Sequence, residues 1–299
     1  MAASGTLLVL GANGQVGRAL TTLLGPRAIA LGRAQADLSR PSELIEQIEA
    51  ALRERAVPVN TLGAVINAAA YTQVDRAESE EATALAVNAE SPGLVARWCE
   101  DRGIPFVHYS TDYVFLGEGN VPWRESDATG PLSAYGRTKL EGERRVAEAG
   151  GKHLIFRTSW VYDRDGKNFL NTMLRLRAER DVLRVVADQF GAPTYAPHLA
   201  QATLAALENA RGASRFPSGV YHLCGAGETT WHGFACAIFE AAERAGRHFS
   251  GPCRVEAIQT EEFPTPARRP RNSRMDCGKA ARELGVRMPE WREGLRDFF

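Results

Sequence analysis

The sequence predicts an α/β fold: a Rossmann-type, doubly wound parallel sheet with a smaller C-terminal substrate lobe that interleaves with it along the chain. Three observations carry this reading. Short, strongly apolar β-type runs alternate with amphipathic helical segments over the first 160 residues. A glycine-rich turn, Gly11-Ala12-Asn13-Gly14-Gln15-Val16-Gly17, falls between the first such run and the first helix. The 299 residues, 44% of them hydrophobic, exceed one ordinary domain of about 150 residues and supply a substantial core.

In order, strands are expected at 6–10, 28–31, 64–67, 106–110 and 153–157. Between them, residues 41–55 carry Leu44, Ile45, Ile48 and Leu52 at helical spacing, and 80–102 and 135–148 read as longer helices. Past Tyr162 come a helix over 168–180, a strand near 183–187, the turn-rich DQFGAPTY and a helix over 198–210. Thr229 and Thr230 are placed to cap a helix running to Ala245, and Asp276 one ending before Gly285. The stretch EEFPTPARRPRNSR between them reads as an ordered loop. Residues 1–163 are thus expected to form a dinucleotide-binding domain, completed by the strand near 183–187 and the helix 198–210. Residues 164–299 form mostly the substrate lobe.

Composition narrows the partners. Thirty-six basic residues balance 36 acidic ones, so the basic excess of a nucleic-acid or anionic-membrane binder is missing. The first apolar run is far shorter than a signal or membrane segment, which makes a cytoplasmic protein the expectation. The five cysteines are odd in number, widely spaced and free of CxxC, and the six histidines form no HExxH; neither a disulfide framework nor a metal site is expected. Only Lys139, Lys152, Lys167 and Lys279 are lysines. Coding bias explains the preference for arginine, yet it draws attention to Lys139.

The chemistry-bearing motifs follow. In the glycine run, Gly11 permits the tight turn, Gly14 lets the backbone approach a pyrophosphate, and Gly17 allows close helix-to-sheet packing, while the helix N-terminus offers free N–H groups to the anion. At the end of the second strand stands Arg33, where NAD-binding proteins tend to place a carboxylate; a guanidinium there suits a 2′-phosphate and favours NADPH, with NADH possible. Asp37, 20 residues past Gly17, lies in the loop beyond and reaches toward the adenine with Leu38. Tyr135 and Lys139 stand four apart at the start of a helix, so phenol and ammonium share one face. An ammonium ~4 Å away at an effective dielectric of ~20 contributes roughly 4 kcal/mol, enough to lower the phenol by about three pKa units. Ser110, Thr111, Asp112 and Tyr113 fall at the carboxyl edge of the sheet, where a hydroxyl can meet a substrate carbonyl.

These motifs, in this order and spacing, resemble the extended short-chain dehydrogenase/reductase superfamily. With VINAAAYTQVDRAE, HYSTDYVF, YGRTKLEGE, HLIFRTSWVY, DQFGAPT and PTPARRPRNSRMD added, the chain is similar to the dTDP-4-dehydrorhamnose reductase family from residue 6 to beyond 290. The resemblance implies NADPH-dependent reduction of the 4-keto group of dTDP-4-dehydro-6-deoxy-L-mannose to dTDP-L-rhamnose. It makes Tyr135 the proton donor, has Lys139 hold the nicotinamide ribose and tune Tyr135, and has Thr111 hydrogen-bond the keto oxygen. Asp112, Tyr113 and Trp160 would line the sugar site. The cofactor would touch Gly11, Asn13, Gly14, Gln15, Val16, Arg33, Asp37, Leu38, Ala69, Ala70, Tyr71, Thr72 and Tyr109, with Val87 and Asn88 as further candidates. Among Arg268, Arg269, Arg271 and Arg274, a solvated loop and a clamp for the substrate diphosphate are both open, Arg274 being the chosen candidate.

Some members of the family are dimers bridged by magnesium. The corresponding stretches here, Gly17-Arg18-Ala19-Leu20 and Tyr195-Ala196-Pro197-His198, hold no carboxylate, so no metal is expected and the chain is a monomer or a homodimer. Two alternatives share the fold. A sugar-nucleotide dehydratase or epimerase would retain NAD, but dehydratases follow the threonine with Asp-Glu where this chain has Asp112-Tyr113. A non-catalytic NADP-binding regulatory subunit, such as the one that accompanies methionine adenosyltransferase, would not need Thr111, Tyr135 and Lys139 intact.

Overall fold

The computed structural model describes residues 5–249 and 251–299. Its first half runs β1 (Thr6–Leu10), α1 (Gln15–Leu24), β2 (Ala28–Leu31), α2 (Pro41–Glu54), β3 (Leu62–Asn67), α3 (Val74–Ala77), α4 (Glu81–Leu85), α5 (Ser91–Glu100), β4 (Phe106–Thr111) and α6 (Ala134–Glu148). There follow β5 (His153–Thr158), β6 (Val161–Tyr162), α7 (Phe169–Glu179), β7 (Val182–Val186), β8 (Phe190–Gly191), β9 (Thr194–Tyr195) and α8 (Ala196–Gly212). The chain ends with β10 (Gly219–His222), β11 (Thr229–Thr230), α9 (Trp231–Arg244), β12 (Arg254–Ile258), α10 (Gly278–Glu283) and α11 (Trp291–Phe298).

Six parallel strands form the central sheet in the order β10-β5-β4-β3-β1-β2. Their nearly continuous burial is what a parallel sheet covered on both faces demands. One face packs Ala19 and Leu20 of α1 and Leu199 and Ala206 of α8 against Leu7, Val9 and Ile66. The other packs Leu44 and Ile48 of α2, Val95 of α5 and Val146 of α6 against Leu8, Val65 and Ile155. The chain leaves β1 in opposite directions to reach β2 and β3, which opens a crevice above the carboxyl ends of the strands. The second lobe has its own core, in which Leu170, Leu183, Phe234, Ile238, Trp291 and Leu295 are buried together.

Helix starts follow side-chain caps. The Ser133 hydroxyl accepts from Gly136 N at 3.2 Å, Asn168 Oδ1 from Asn171 N at 2.9 Å and Thr230 Oγ1 from Gly233 N at 3.0 Å. The expected cap at Asp276 acts one position early: its carboxylate accepts from Gly278 N at 2.7 Å, while Cys277 occupies the cap position itself.

One expectation about the elements needs correction. The strand near 183–187 does not complete the central sheet. As β7 it pairs in parallel with β12 inside the second lobe, and the sixth sheet strand is β10, whose register partners lie some sixty residues earlier in β5. The expected long helix over 80–102 forms as one continuous run, in which a π-helical turn at Ala86–Glu90 joins α4 to α5. That turn is pressed by α6, where a Cβ on Gly142 would come within 2.0 Å of the Asn88 carbonyl oxygen. The five cysteines are free thiols, and the fold brings the sulfurs of Cys224 and Cys277 to 3.6 Å from each other. Among the described residues no helix is long and apolar enough to cross a membrane.

Candidate active site

The crevice is built first from the β1–α1 turn. Gly11 has φ +74°, and a Cβ there would come within 2.5 Å of the Ala69 backbone nitrogen. A Cβ on Gly17 would meet the Gly11 carbonyl oxygen at 2.2 Å. Glycine is thus required at both places by sterics. Gly14 is the extended N-cap of α1 and exposed, so the first turn of the helix faces the crevice with free N–H groups. The Asn13 side chain lies over Gly32, Val16 packs on the core beneath β1, and the Gln15 carboxamide accepts from Asn168 Nδ2 at 2.8 Å, tying the turn to the second lobe.

At the end of β2, Arg33 is exposed, with its Nε 3.3 Å from Asp37 and a terminal nitrogen donating to Ser39 Oγ at 3.2 Å. Asp37 accepts from the Ser39 amide at 2.9 Å and hydroxyl at 2.7 Å; although its partial burial opposes ionisation, the hydrogen bonds from Ser39 and the Arg33 charge hold its carboxyl below the usual range. The Leu38 side chain turns into the core, and its carbonyl accepts from Ser91 Oγ at 2.7 Å. Beyond β3, the Tyr71 backbone is clasped by Asn88, which accepts from Tyr71 N at 2.8 Å and donates to Tyr71 O at 3.2 Å. Ala69 and Ala70 are half-buried beside it, Thr72 is exposed, and Val87 packs on the α2 side of the sheet.

The candidate catalytic residues come from β4 and α6. Tyr135 packs edge-on to Tyr113, with ring centroids 5.5 Å apart. Thr111 Oγ1 donates to Asp112 at 3.0 Å and accepts from Tyr113 N at 3.2 Å. Burial outweighs the hydrogen bonds from Ser273 and Thr111 and pushes the Asp112 carboxyl up to about 6. Lys139 is 2% exposed; its ammonium donates to the Tyr109 carbonyl at 2.5 Å, and burial lowers it to about 8.

Here the expected tuning of the phenol is overturned. Burial raises Tyr135 well above its ordinary value, and the causes that act on it are burial, Thr111 and Asp112, not Lys139. The amine is drawn inward to the Tyr109 carbonyl, so desolvation decides the outcome. Tyr109 itself contributes that carbonyl, whereas its phenol points to the opposite face and meets Thr203 Oγ1 at 2.7 Å.

Trp160, expected to line the sugar site, holds a left-handed backbone, φ +49°, and stacks on Trp231 with centroids 3.6 Å apart. The four arginines of the loop before α10 all face carboxylates: Arg268 Glu118, Arg269 Asp75, Arg271 Glu261 and Asp188, and Arg274 Glu228. Arg274, the most covered, also lies 4.2 Å over the Phe190 ring. A diphosphate there must compete with Glu228 for it.

The structure adds residues not singled out from the sequence. Glu143, one turn past Lys139, is buried and accepts from Arg157 at 2.9 and 2.7 Å and from Ser110 Oγ at 2.5 Å. His108 lies against Lys139 with Asn67 behind it. Strand alternation is a signal that points to Ser110 and His108, since both share the face of β4 that α6 covers.

A six-stranded parallel sheet, a glycine turn at its switch point and the residues Thr111, Tyr135 and Lys139 at its carboxyl edge define an oxidoreductase of the extended short-chain dehydrogenase/reductase class. The RmlD substrate binding domain family matches residues 5–299. A dTDP-4-dehydrorhamnose reductase of Burkholderia thailandensis is 47% identical over 293 residues, covering 96% of this chain and 95% of that protein. The Escherichia coli K12 dTDP-4-dehydrorhamnose reductase is 42% identical over 300 residues, with 97% and 95% covered. The crystal structure of the Bacillus anthracis dTDP-4-dehydrorhamnose reductase in complex with NADP superposes with a TM-score of 0.87 at 33% identity, covering 99% of both chains. The chain belongs to the dTDP-4-dehydrorhamnose reductase family.

Proposed function

We propose that this chain reduces the 4-keto group of dTDP-4-dehydro-6-deoxy-L-mannose with NADPH, giving dTDP-L-rhamnose, and that Thr111, Tyr135 and Lys139 perform the step. The observation that carries the assignment of roles is the placement of Thr111 at the end of β4 beside Tyr135, which is held edge-on by Tyr113 one helical turn before the buried Lys139 at the carboxyl edge of the sheet. The β1–α1 turn fits a dinucleotide: its glycines leave the room that any side chain would fill, and the free N–H groups of α1 suit a pyrophosphate. Gly11, Asn13, Gly14, Gln15 and Val16 would hold that group, with Asp37, Ala69, Ala70, Tyr71 and Thr72 along the crevice and Lys139 at the nicotinamide ribose. NADPH, when bound, supplies the hydride that adds to carbon 4.

Thr111 and Tyr135 grip the keto oxygen through two hydroxyls, which polarises the carbonyl and stabilises negative charge as it develops there. Tyr135 then gives its proton to that oxygen. Burial keeps the phenol protonated at neutral pH, which is the form a donor needs, and an alkoxide is more basic than a phenolate, so the transfer runs downhill. Asp112 and Tyr113 shape the sugar pocket, Trp160 forms its wall, and Arg274 meets the diphosphate by exchanging Glu228 for it. The cytoplasm, which holds NADPH and activated sugars, is the compartment this reaction calls for.

The test is NADPH consumption at 340 nm with the keto sugar, followed by NMR of the product. A rhamno-configured dTDP sugar is expected; no consumption, or a product inverted at carbon 4, overturns the reading. Arg33 carries the preference between dinucleotides, since its guanidinium is exposed at the ribose end of the crevice. Arg33→Ala is expected to raise the KM for NADPH about tenfold, the scale of one charge-assisted hydrogen bond, and that for NADH less than about twofold. Steady-state kinetics with both dinucleotides checks this, and equal losses would separate Arg33 from the 2′-phosphate.

A further inference from the structure

Behind Lys139 lies a short chain of buried polar groups that the reaction as described does not use. The Ala69 amide donates to Asn67 Oδ1 at 3.1 Å. A backbone N–H can only donate, so it fixes which end of the Asn67 carboxamide is oxygen. The Asn67 nitrogen then faces His108 Nδ1 at 3.1 Å and, being a donor, requires Nδ1 to be bare. His108 is fully buried, and burial together with the Lys139 charge keeps its ring neutral. A neutral imidazole with a bare Nδ1 carries its proton on Nε2, which stands 3.4 Å from Lys139 Nζ.

We propose that His108 is a positioning residue whose Nε2–H, set by Asn67, hydrogen-bonds the neutral amine of Lys139 and so favours it over the ammonium. An ammonium has three donors and no acceptor, so it meets Nε2–H as one donor facing another; the free amine has a lone pair to offer it. The other groups around Lys139 act differently. Glu143, one turn along α6 with Arg157 of β5 behind it, draws the lysine toward the charged form, and the Tyr109 carbonyl accepts from it. Tyr135, one turn before it on α6, is held neutral by burial. His108 is thus the neighbour that opposes Glu143, and the pair sets where Lys139 exchanges its proton.

The inference rests on Lys139 belonging to the reductase centre. Its first test does not depend on turnover: nitrogen-15 NMR of histidine-labelled enzyme with NADP bound, in which His108 is expected as the Nε2–H tautomer. An Nδ1–H tautomer overturns the proposal. The second is the pH profile of kcat. His108→Gln, which can turn its oxygen to the ammonium, is expected to move the alkaline limb up by about one pH unit, the size of one hydrogen bond exchanged between protonation states. His108→Leu, which removes the donor without adding an acceptor, is expected to move it up by less. A uniform drop in kcat with the limb fixed in both variants would mean a packing role only and would overturn the proposal. If either variant fails to fold, the tautomer in the unaltered enzyme decides. Absence of NADPH consumption by the unaltered enzyme would instead count against the reductase reading, so the two failures are distinguishable.

Discussion

Tyr135→Phe is expected to cut kcat with NADPH and the keto sugar by at least about 100-fold, the usual contribution of a positioned proton donor. The substitution deletes one oxygen and leaves the ring, so the edge-on contact with Tyr113 and the packing on the cluster of Ala77, Ala84 and Ala134 persist. NADPH affinity and thermal stability are expected to stay close to those of the unaltered protein, because the glycine turn and Lys139 are untouched. Stopped-flow transients and dinucleotide titration by fluorescence separate the two quantities; a variant that keeps its turnover would remove Tyr135 from the donor role. The pH profile gives a second check. Since burial pushes the Tyr135 phenol upward, it does not ionise in the working range, and an alkaline limb of kcat near pH 8 belongs to Lys139. The sign follows from the charge: activity is present while the ammonium persists and falls as pH rises through about 8. A limb that survives Lys139→Met would assign it to another group.

The parts of the site written into contiguous sequence were legible there. The glycine turn and the Tyr135–Lys139 spacing are local, and β1 and α6 around them formed within a residue of their expected bounds, with α1 directly after the turn. What depends on residues far apart in the chain was not. Strand β10 is four residues long and earns its place only by pairing with β5, whereas β7 looked as strand-like and is taken by β12. The phenol's proton affinity was misjudged because i, i+4 spacing fixes a shared face and not the direction of a flexible amine, which turned to a buried carbonyl. Leu38 and Tyr109 show the same limit at the expected cofactor site. Both belong to motifs expected to line it, but their side chains face the core, and for Tyr109 the period of two along β4, shared with Val107, already carried that information. Glu143 was hidden for a further reason: a glutamate on a helix is most often solvated, and only Arg157, from the next strand, makes its burial tolerable.

That last pair sets the other large expected effect. Glu143→Ala is expected to destabilise the protein by about 3–5 kcal/mol, because it leaves the Arg157 guanidinium buried without its counter-charge. Both side chains are 5% exposed, the guanidinium is gripped by both carboxylate oxygens, and its other face lies 4.9 Å from the Phe115 ring, so it has no short path to water. Ser110 loses its acceptor in the same step. Equilibrium urea unfolding with an unchanged m-value measures the loss. The size of the effect is the penalty of an orphaned charge, not the worth of the ion pair, and the two are separable. Glu143→Leu combined with Arg157→Met removes both charges and refills the space with apolar atoms, and is expected to recover most of the stability that Glu143→Ala loses. Its activity is expected to remain low, since Lys139 then lacks the anion that favours its charged form. A double variant as unstable as the single one would mean that the cost lies in packing around β5, whereas recovered stability with recovered activity would detach Glu143 from Lys139 altogether.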